Sequence, residues 1–277
     1  MKELTLSDLQ AVSLDILKTV HRFCSENGIT YMLAYGTLLG AVRHKGFIPW
    51  DDDVDIVMMR PDYDRFCRAF KMDGYQVVYS GNEPDCFIAF ARVCETSRTL
   101  VKSTVPWVGG DKEYGCWIDV FPMDADYDDW NAHLRRFKKC SCLHQTSLRQ
   151  RRLKGHVVRE NYGVGRKMKT VLKRMLHPDW YILSPLPYIS MLHQELSSLP
   201  FGSTGHVSQL ACADLETDWF SLAQAGKLVL MPFEDGEFYA PSDYDAVLKC
   251  AYGDYMQLPP EEERIPQQRE HIKFYWR

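Results

Sequence analysis

Apolar positions near the N-terminus recur at three- and four-residue steps. Leu9, Val12, Ile16, Val20 and Phe23 form one stripe, which Gly28 ends. Residues 7–10 read as a capping box that opens this helix. The pattern then shortens. Residues 31–35 are an apolar run of strand length, residues 38–45 have helical spacing up to Gly46, and residues 53–57 alternate with period two.

Further along, residues 61–71 read as a helix with Tyr63, Phe66 and Phe70 on its apolar side. Residues 75–79, 86–93 and 116–121 read as strands. Residues 126–152 are helical in pattern, with an acidic start and a basic finish that suit the helix dipole. Residues 178–187, bounded by prolines, read as a loop. Residues 207–213 form a strand pattern, and Asp218 opens a short helix that Gly226 closes. Residues 227–233 and 237–239 make a hairpin around 234–236, and Asp243 caps a helix running to Tyr252 with Gly253 after it. The prediction is an α+β fold: a mixed sheet flanked by helices, a helical insertion, and a C-terminal hairpin-plus-helix segment. It divides into a catalytic core at 1–125, a basic and mainly helical segment at 126–205, and a C-terminal segment at 206–277 packing on the core.

The chemistry concentrates at 31–58. Period two puts Asp53 and Asp55 on one strand face, with Val54 and Ile56 on the other. Two carboxylates side by side with no basic residue between them call for a cation, and oxygen ligands suit Mg²⁺ or Mn²⁺. Gly36 and Thr37 form a turn into a helix N-terminus, where backbone N–H groups face an anion such as phosphate. Each feature also has a plainer reading, an ordinary strand–helix cap for Gly36-Thr37 and a solvated loop for the aspartates. Arg43, His44 and Lys45 could offset phosphate charge, or Arg43 and Lys45 could serve as C-terminal helix cations. Arg92 could face the phosphates, or be a strand-edge charge. Asp51 and Asp52 precede the strand as outer-layer partners of the ligands.

The run GTLLGAVRHKGFIPWDDDVDI resembles the signature of the LicD family, which is also similar to fukutin-related glycan-modifying enzymes. A second stretch matches the family's W-x-D-[VI]-F-P-x-D pattern at Trp117, Asp119, Val120, Phe121, Pro122 and Asp124. A third, F-E-x-x-x-F-x-x-P followed by Y-G-D-x-M-x-x-P-P, runs from Phe233 to Pro260, with Glu261, Glu262 and Glu263 placed before the next basic residue. The resemblance covers 29–66, 114–124 and 227–264. It implies a nucleotidyltransferase-like sheet with a third carboxylate from a later strand. Asp119 is therefore expected to join Asp53 and Asp55 at the metal, the alternative being a structural acid. The family activity implied is transfer of phosphocholine or a related phospho-alcohol from a CDP-activated donor, CDP-choline first, to a cell-surface glycan or teichoic-acid precursor. The alternative on the same site is a nucleotidyltransferase that moves a nucleoside monophosphate to a small molecule and releases pyrophosphate. A non-catalytic binding protein on this fold would be expected to have lost one of the three aspartates, and all three are present.

Charge adds one feature. The chain has a net charge of −4, yet residues 135–177 hold 14 Lys and Arg against 1 acid. Residues 149–174 are either a solvated helical face or a surface for an anionic membrane or polyanionic acceptor. Few aromatics interleave these cations, so nucleic acid is not an expected partner. The 9 Cys include no C-x-x-C pair, which reads as reduced, mostly buried thiols and gives no zinc motif. With no leader-like start and no membrane-length apolar run, a cytoplasmic location is expected, peripheral to the inner membrane face if the basic segment binds lipid.

Overall fold

The computed structural model of the chain describes residues 1–103, 105, 107–108, 113–158, 184–266 and 272–277. The expected basic helix beyond 158 and the loop at 178–183 lie outside these residues.

The first helix, α1 (Leu6–Asn27), buries the predicted stripe from Leu9 to Phe23 and ends at Gly28 with φ 58°. Its capping box starts two residues earlier than expected. Thr5 accepts from the Asp8 N–H at 3.1 Å, and the Asp8 carboxylate accepts from the Thr5 N–H at 2.9 Å. A two-residue strand β1 (Met32–Leu33) leads into α2 (Tyr35–Arg43), then β2 (Asp55–Met59) and α3 (Arg60–Ala69). Next come β3 (Tyr75–Val78), β4 (Ala91–Glu95), β5 (Thr99–Ser103) and the long β6 (Trp117–Asp126). The sheet runs β1-β2-β6-β4-β3, with β2 and β6 parallel and the other pairs antiparallel. A single parallel pair among antiparallel neighbours makes this a mixed sheet, flanked by helices as predicted.

All ten residues of β6 are buried, because it is paired on both edges and covered on both faces. Its C-terminal end also pairs with β7 (His206–Ser208), which pairs in turn with β8 (Trp219–Ser221). The expected helix opening at Asp218 is instead this strand followed by one helical turn, Leu222–Ala225, capped by the Ser221 hydroxyl. Helix α4 (Trp130–Val158) and α5 (Leu186–Leu196) lie against each other. Arg136 joins α4 to the α5 carbonyls, donating to Glu195 at 2.8 Å and Leu196 at 3.2 Å.

The C-terminal segment supplies the predicted hairpin, β9 (Leu228–Phe233) with β10 (Gly236–Pro241), and a helix at Tyr244–Tyr252. The hairpin docks on the loop after α2: the Glu234 N–H donates to the Lys45 carbonyl at 2.8 Å, and the Phe47 N–H donates to the Glu234 carboxylate at 2.9 Å. The Phe233-Glu234 motif is therefore tied to the fold of the central stretch. A last strand, β11 (Ile272–Trp276), pairs with β5. Neither had a periodicity strong enough to stand out. Each is a short two-strand edge whose alternation is broken by Lys102 and Lys273.

Candidate active site

The stretch at 34–55 folds back on itself. Gly40 allows this: a Cβ there would sit 2.4 Å from the Gly46 carbonyl oxygen and 3.3 Å from the Ile48 nitrogen. The return loop brings Asp51, Asp52 and Asp53 beside the first turn of α2. A Cβ at Gly36 would lie 2.7 Å from an Asp51 carboxylate oxygen, so glycine makes room for an acid in that turn. Gly36 and Thr37 thus lie inside the helix rather than before it. The Thr37 hydroxyl is committed, accepting from the Asp55 N–H at 2.9 Å and fixing where β2 starts.

Ladder pairing of β2 begins at Asp55, not Asp53, although the Val54 carbonyl already accepts from the Asp119 N–H at 2.9 Å. Asp55 stands opposite Asp119 in the parallel β2–β6 register, and Arg92 stands opposite Asp119 on the other side. Residues opposite each other in a ladder share a face, so Asp55, Asp119 and Arg92 project the same way. Asp119 is thus on the Asp55 face, as the strand pattern required. Asp51, Asp53 and Asp55 line a cleft of about 350 Å³ whose other walls include Tyr35, Trp50, Phe121, Gln209, Asp218 and Tyr252. The three ligand oxygens of Asp51, Asp52 and Asp53 fall within 4.8 Å of one another.

Arg92 is not directed at the cleft as a loose cation. Its Nε and Nη2 reach the two Asp119 oxygens at 2.7 and 3.3 Å, and its guanidinium lies 4.1 Å from the Trp117 ring centroid and 4.7 Å from that of Trp107. Arg43 is likewise spent on the fold: it donates to the Tyr255 carbonyl at 2.8 Å and to His44 at 3.0 Å. His44 sits edge-on to Trp50, its pKa lowered by burial and by Arg43. Lys45 takes φ 61° in the turn that receives Glu234.

Electrostatically the cleft is short of positive charge. Burial, with Asp53 and Asp52 nearby, pushes the Asp51 carboxyl up to about 8. Burial and the charges of Asp53, Asp119 and Asp51 raise Asp55 well above the usual carboxylate range, and Arg92 only partly opposes this. Asp119 is raised by burial while Arg92 pulls it down. Across the cleft, the Tyr35 hydroxyl donates to Asp218 at 2.6 Å, and burial holds Asp218 at about 7. Tyr35 itself has φ 47°, a left-handed backbone at a non-glycine residue held by that bond and by ring contact with Phe121.

Two further residues came from the fold alone. Asp218 reads in the chain only as the opening of a short helix, and Tyr252 is part of the third motif but gave no sign that it overlooks the aspartates. The basic segment also changes character where it is described. Arg151 is buried, 8% exposed, and feels Arg92 and Asp119. It cannot contribute to a membrane-facing surface, because helical period turns it inward while its neighbour Arg152 is exposed. Lys167 and Lys169 lie outside the described residues. No described helix is long and apolar enough to cross a membrane.

Residues 28–140 match the family model described as LicD/FKTN/FKRP, nucleotidyltransferase domain. The chain is 29% identical over 285 residues to the lipopolysaccharide cholinephosphotransferase LicD of Haemophilus influenzae, covering 96% of this chain and 97% of that protein. It is also 39% identical over 142 residues to an uncharacterized protein of Rickettsia typhi, covering 50% of this chain and 43% of the other. An uncharacterized protein of Rickettsia prowazekii is 41% identical over 83 residues, 28% of this chain and 31% of its own length. The matched segment runs from the end of α1 through β6 and contains Asp51, Asp53 and Asp55 of the cleft, so the likeness to the LicD family falls on the part of the chain that builds the site.

Proposed function

We propose that the chain is a phosphotransferase that moves phosphocholine, or a related phospho-alcohol, from a CDP-activated donor to a cell-surface glycan and releases CMP. The observation that carries this reading is the Asp55–Asp119 register across β2 and β6, with Asp51 and Asp53 opening into the same cleft. The near full-length similarity to a lipopolysaccharide cholinephosphotransferase favours phosphocholine and a lipopolysaccharide-type acceptor over other pairs. The sheet reads as nucleotidyltransferase-like in that a parallel strand pair presents its acids beside a glycine-bearing helical turn.

By type the donors suit a hard divalent ion, although Asp119 is held by Arg92 outside the cleft lining and the acids whose oxygens gather within 4.8 Å are Asp51, Asp52 and Asp53. Asp53, Asp55 and Asp119 offer only carboxylate oxygens, the ligand type of Mg²⁺ or Mn²⁺, and their surplus negative charge is what such an ion would offset. When bound, the ion would neutralise the donor diphosphate and the leaving phosphate. The protein's own work is positional. Thr37 fixes the start of β2 and hence Asp55, and Arg92 holds both oxygens of Asp119. Gly36 makes room in the first turn of α2 for the Asp51 carboxylate. Tyr35, Trp50 and Tyr252 are aromatic walls of the cleft.

The test is a donor screen with CDP-choline, CDP-ethanolamine, CDP-glycerol and CDP-ribitol, scoring CMP with Mg²⁺ present. CMP release with CDP-choline and a lipopolysaccharide acceptor is expected. Pyrophosphate release from a nucleoside triphosphate, with no CMP from any CDP-alcohol, would replace this reading with the nucleotidyltransferase.

A further inference from the structure

The wall of the cleft facing the aspartates holds a second group of ligand-type side chains, of different chemistry. His144 on α4, Cys212 and Asp214 bring one imidazole nitrogen, one thiol sulfur and one carboxylate oxygen within 4.8 Å of one another. Cys212 and Asp214 line the cleft, whereas His144 is buried behind them. The two halves of this group are 68 residues apart in the chain and meet only because α4 packs under the loop after β7.

We propose that His144, Cys212 and Asp214 form a site for a borderline-soft divalent cation of the Zn²⁺ class, separate from the carboxylate site. Sulfur, imidazole and one carboxylate are the donors such an ion prefers, and a set of three leaves a fourth position open to the cleft. Mg²⁺ is excluded by the same chemistry, since it takes oxygen ligands in near-octahedral array. Ligands of a tetrahedral ion at 2.0–2.3 Å stand ~3.3–3.8 Å apart, which is compatible with atoms that all lie within 4.8 Å of one another.

The loop backbone and the neutral imidazole agree with this assignment, while the nearby Arg151 cation is the one charge that a bound ion must be held against. Ala213, between the two loop ligands, has φ 49°, a left-handed turn in the backbone that carries both. Burial keeps the His144 imidazole neutral, with a pKa of about 4, leaving a ring nitrogen able to bind a metal at neutral pH. Cys212 and Asp55 line the same cleft, and burial with the charges of Asp214, Asp119 and Asp55 holds the Cys212 thiol protonated until a cation binds. An ion here would tie α4 to the loop that carries Gln209, Asp214 and Asp218, and so would set the position of the wall opposite the aspartates.

The inference does not depend on the phosphotransferase reading, and its test reads metal binding alone. Metal-stripped full-length chain is titrated with Co²⁺, following the thiolate-to-cobalt charge-transfer absorption, and Zn²⁺ is then added as competitor. One equivalent of Co²⁺ should give the band, Zn²⁺ should abolish it, and millimolar Mg²⁺ should leave it unchanged. Cys212→Ser should remove the band. Asp214→Asn, at an exposed position that folding does not need, should weaken Co²⁺ about tenfold or more. The Asp53→Asn/Asp55→Asn double variant should keep the band. Absence of the band in the wild type, its persistence in Cys212→Ser, or its loss in the double variant would each overturn the proposal.

Discussion

Strand β6 buries carboxylates at both ends, and the two ends are built differently. At its C-terminal end, Asp124 is held by Arg60 through two bonds of 2.6 and 2.8 Å. Asp126 accepts from the Ser208 hydroxyl at 2.5 Å, meets His133 Nδ1 at 2.6 Å and lies 3.2 Å from Arg136. At its N-terminal end, Asp119 has Arg92, but Asp55 stands beside it in the next strand with Asp53 and Asp51 close behind. Burial raises all of these groups. Hydrogen bonds then bring Asp126 below its ordinary value, whereas neighbouring acids drive Asp51 and Asp55 further up. A buried aspartate is therefore no mark of a site. A buried surplus of aspartates is, because folding alone gains nothing by gathering like charges.

That contrast can be broken most forcefully at the compensated end. Asp124→Ala should destabilise the fold by about 3–5 kcal/mol in denaturant melts, since it takes from the largely buried Arg60 its two-bond partner and leaves only Asp64 at 3.5 Å. Turnover per folded molecule should be far less affected. Asp55→Asn should do the reverse: turnover falls by ~10²–10³, the loss of a principal transition-state contact, while the metal-free protein melts no lower than wild type. Near wild-type turnover of Asp55→Asn at saturating Mg²⁺ would end the metal assignment.

A third test asks whether the site's loop needs its close backbone approach. Gly40→Ala places a methyl against the backbone of Gly46 and Ile48, which cannot swing away as a side chain can. A loss of about 1–3 kcal/mol is expected, with reduced turnover from a displaced Asp51–Asp55 segment. Unchanged stability would mean that the loop shifts at no cost.

The smallest effect is a difference in pH dependence. The fold holds protons on Asp51, near 8, and Asp218, near 7, that the unfolded chain has released above its ordinary value of 3.8. The unfolded state binds fewer protons there, so stability of the metal-free protein should fall as pH rises from about 4 toward 8. Asp51→Asn should flatten that slope. Asp126 works in the other direction: its folded pKa is depressed, so its contribution is present above 3.8 and lost as pH falls through the folded value. Asp126→Asn should remove that acid limb and also lessen the neutral slope, because Asp126 holds the His133 pKa up and that contribution is lost as pH rises, as thermal melts in chelator at stepped pH would register.

What the chain alone determined was local. The α1 stripe, the period-two acids at 53–57, the apolar strand around Asp119 and the C-terminal hairpin all follow from spacing that any short window contains. Ends of elements were less legible. Asp53 precedes β2 because the Thr37 hydroxyl, eighteen residues upstream, sets the first ladder residue. The partners of the candidate site belong to the tertiary structure. Asp119 meets Asp55 through a parallel register that no local pattern encodes, and Arg92 and Arg43, readable as free phosphate cations, are bound to Asp119 and to the 255–257 loop. Asp218, Tyr252 and the His144–Cys212–Asp214 group reach the cleft from segments more than eighty residues beyond it. Helical and strand periods fix which way a side chain points within its own element. Which elements face each other is decided by how the apolar faces pack, and packing is a property of the whole chain.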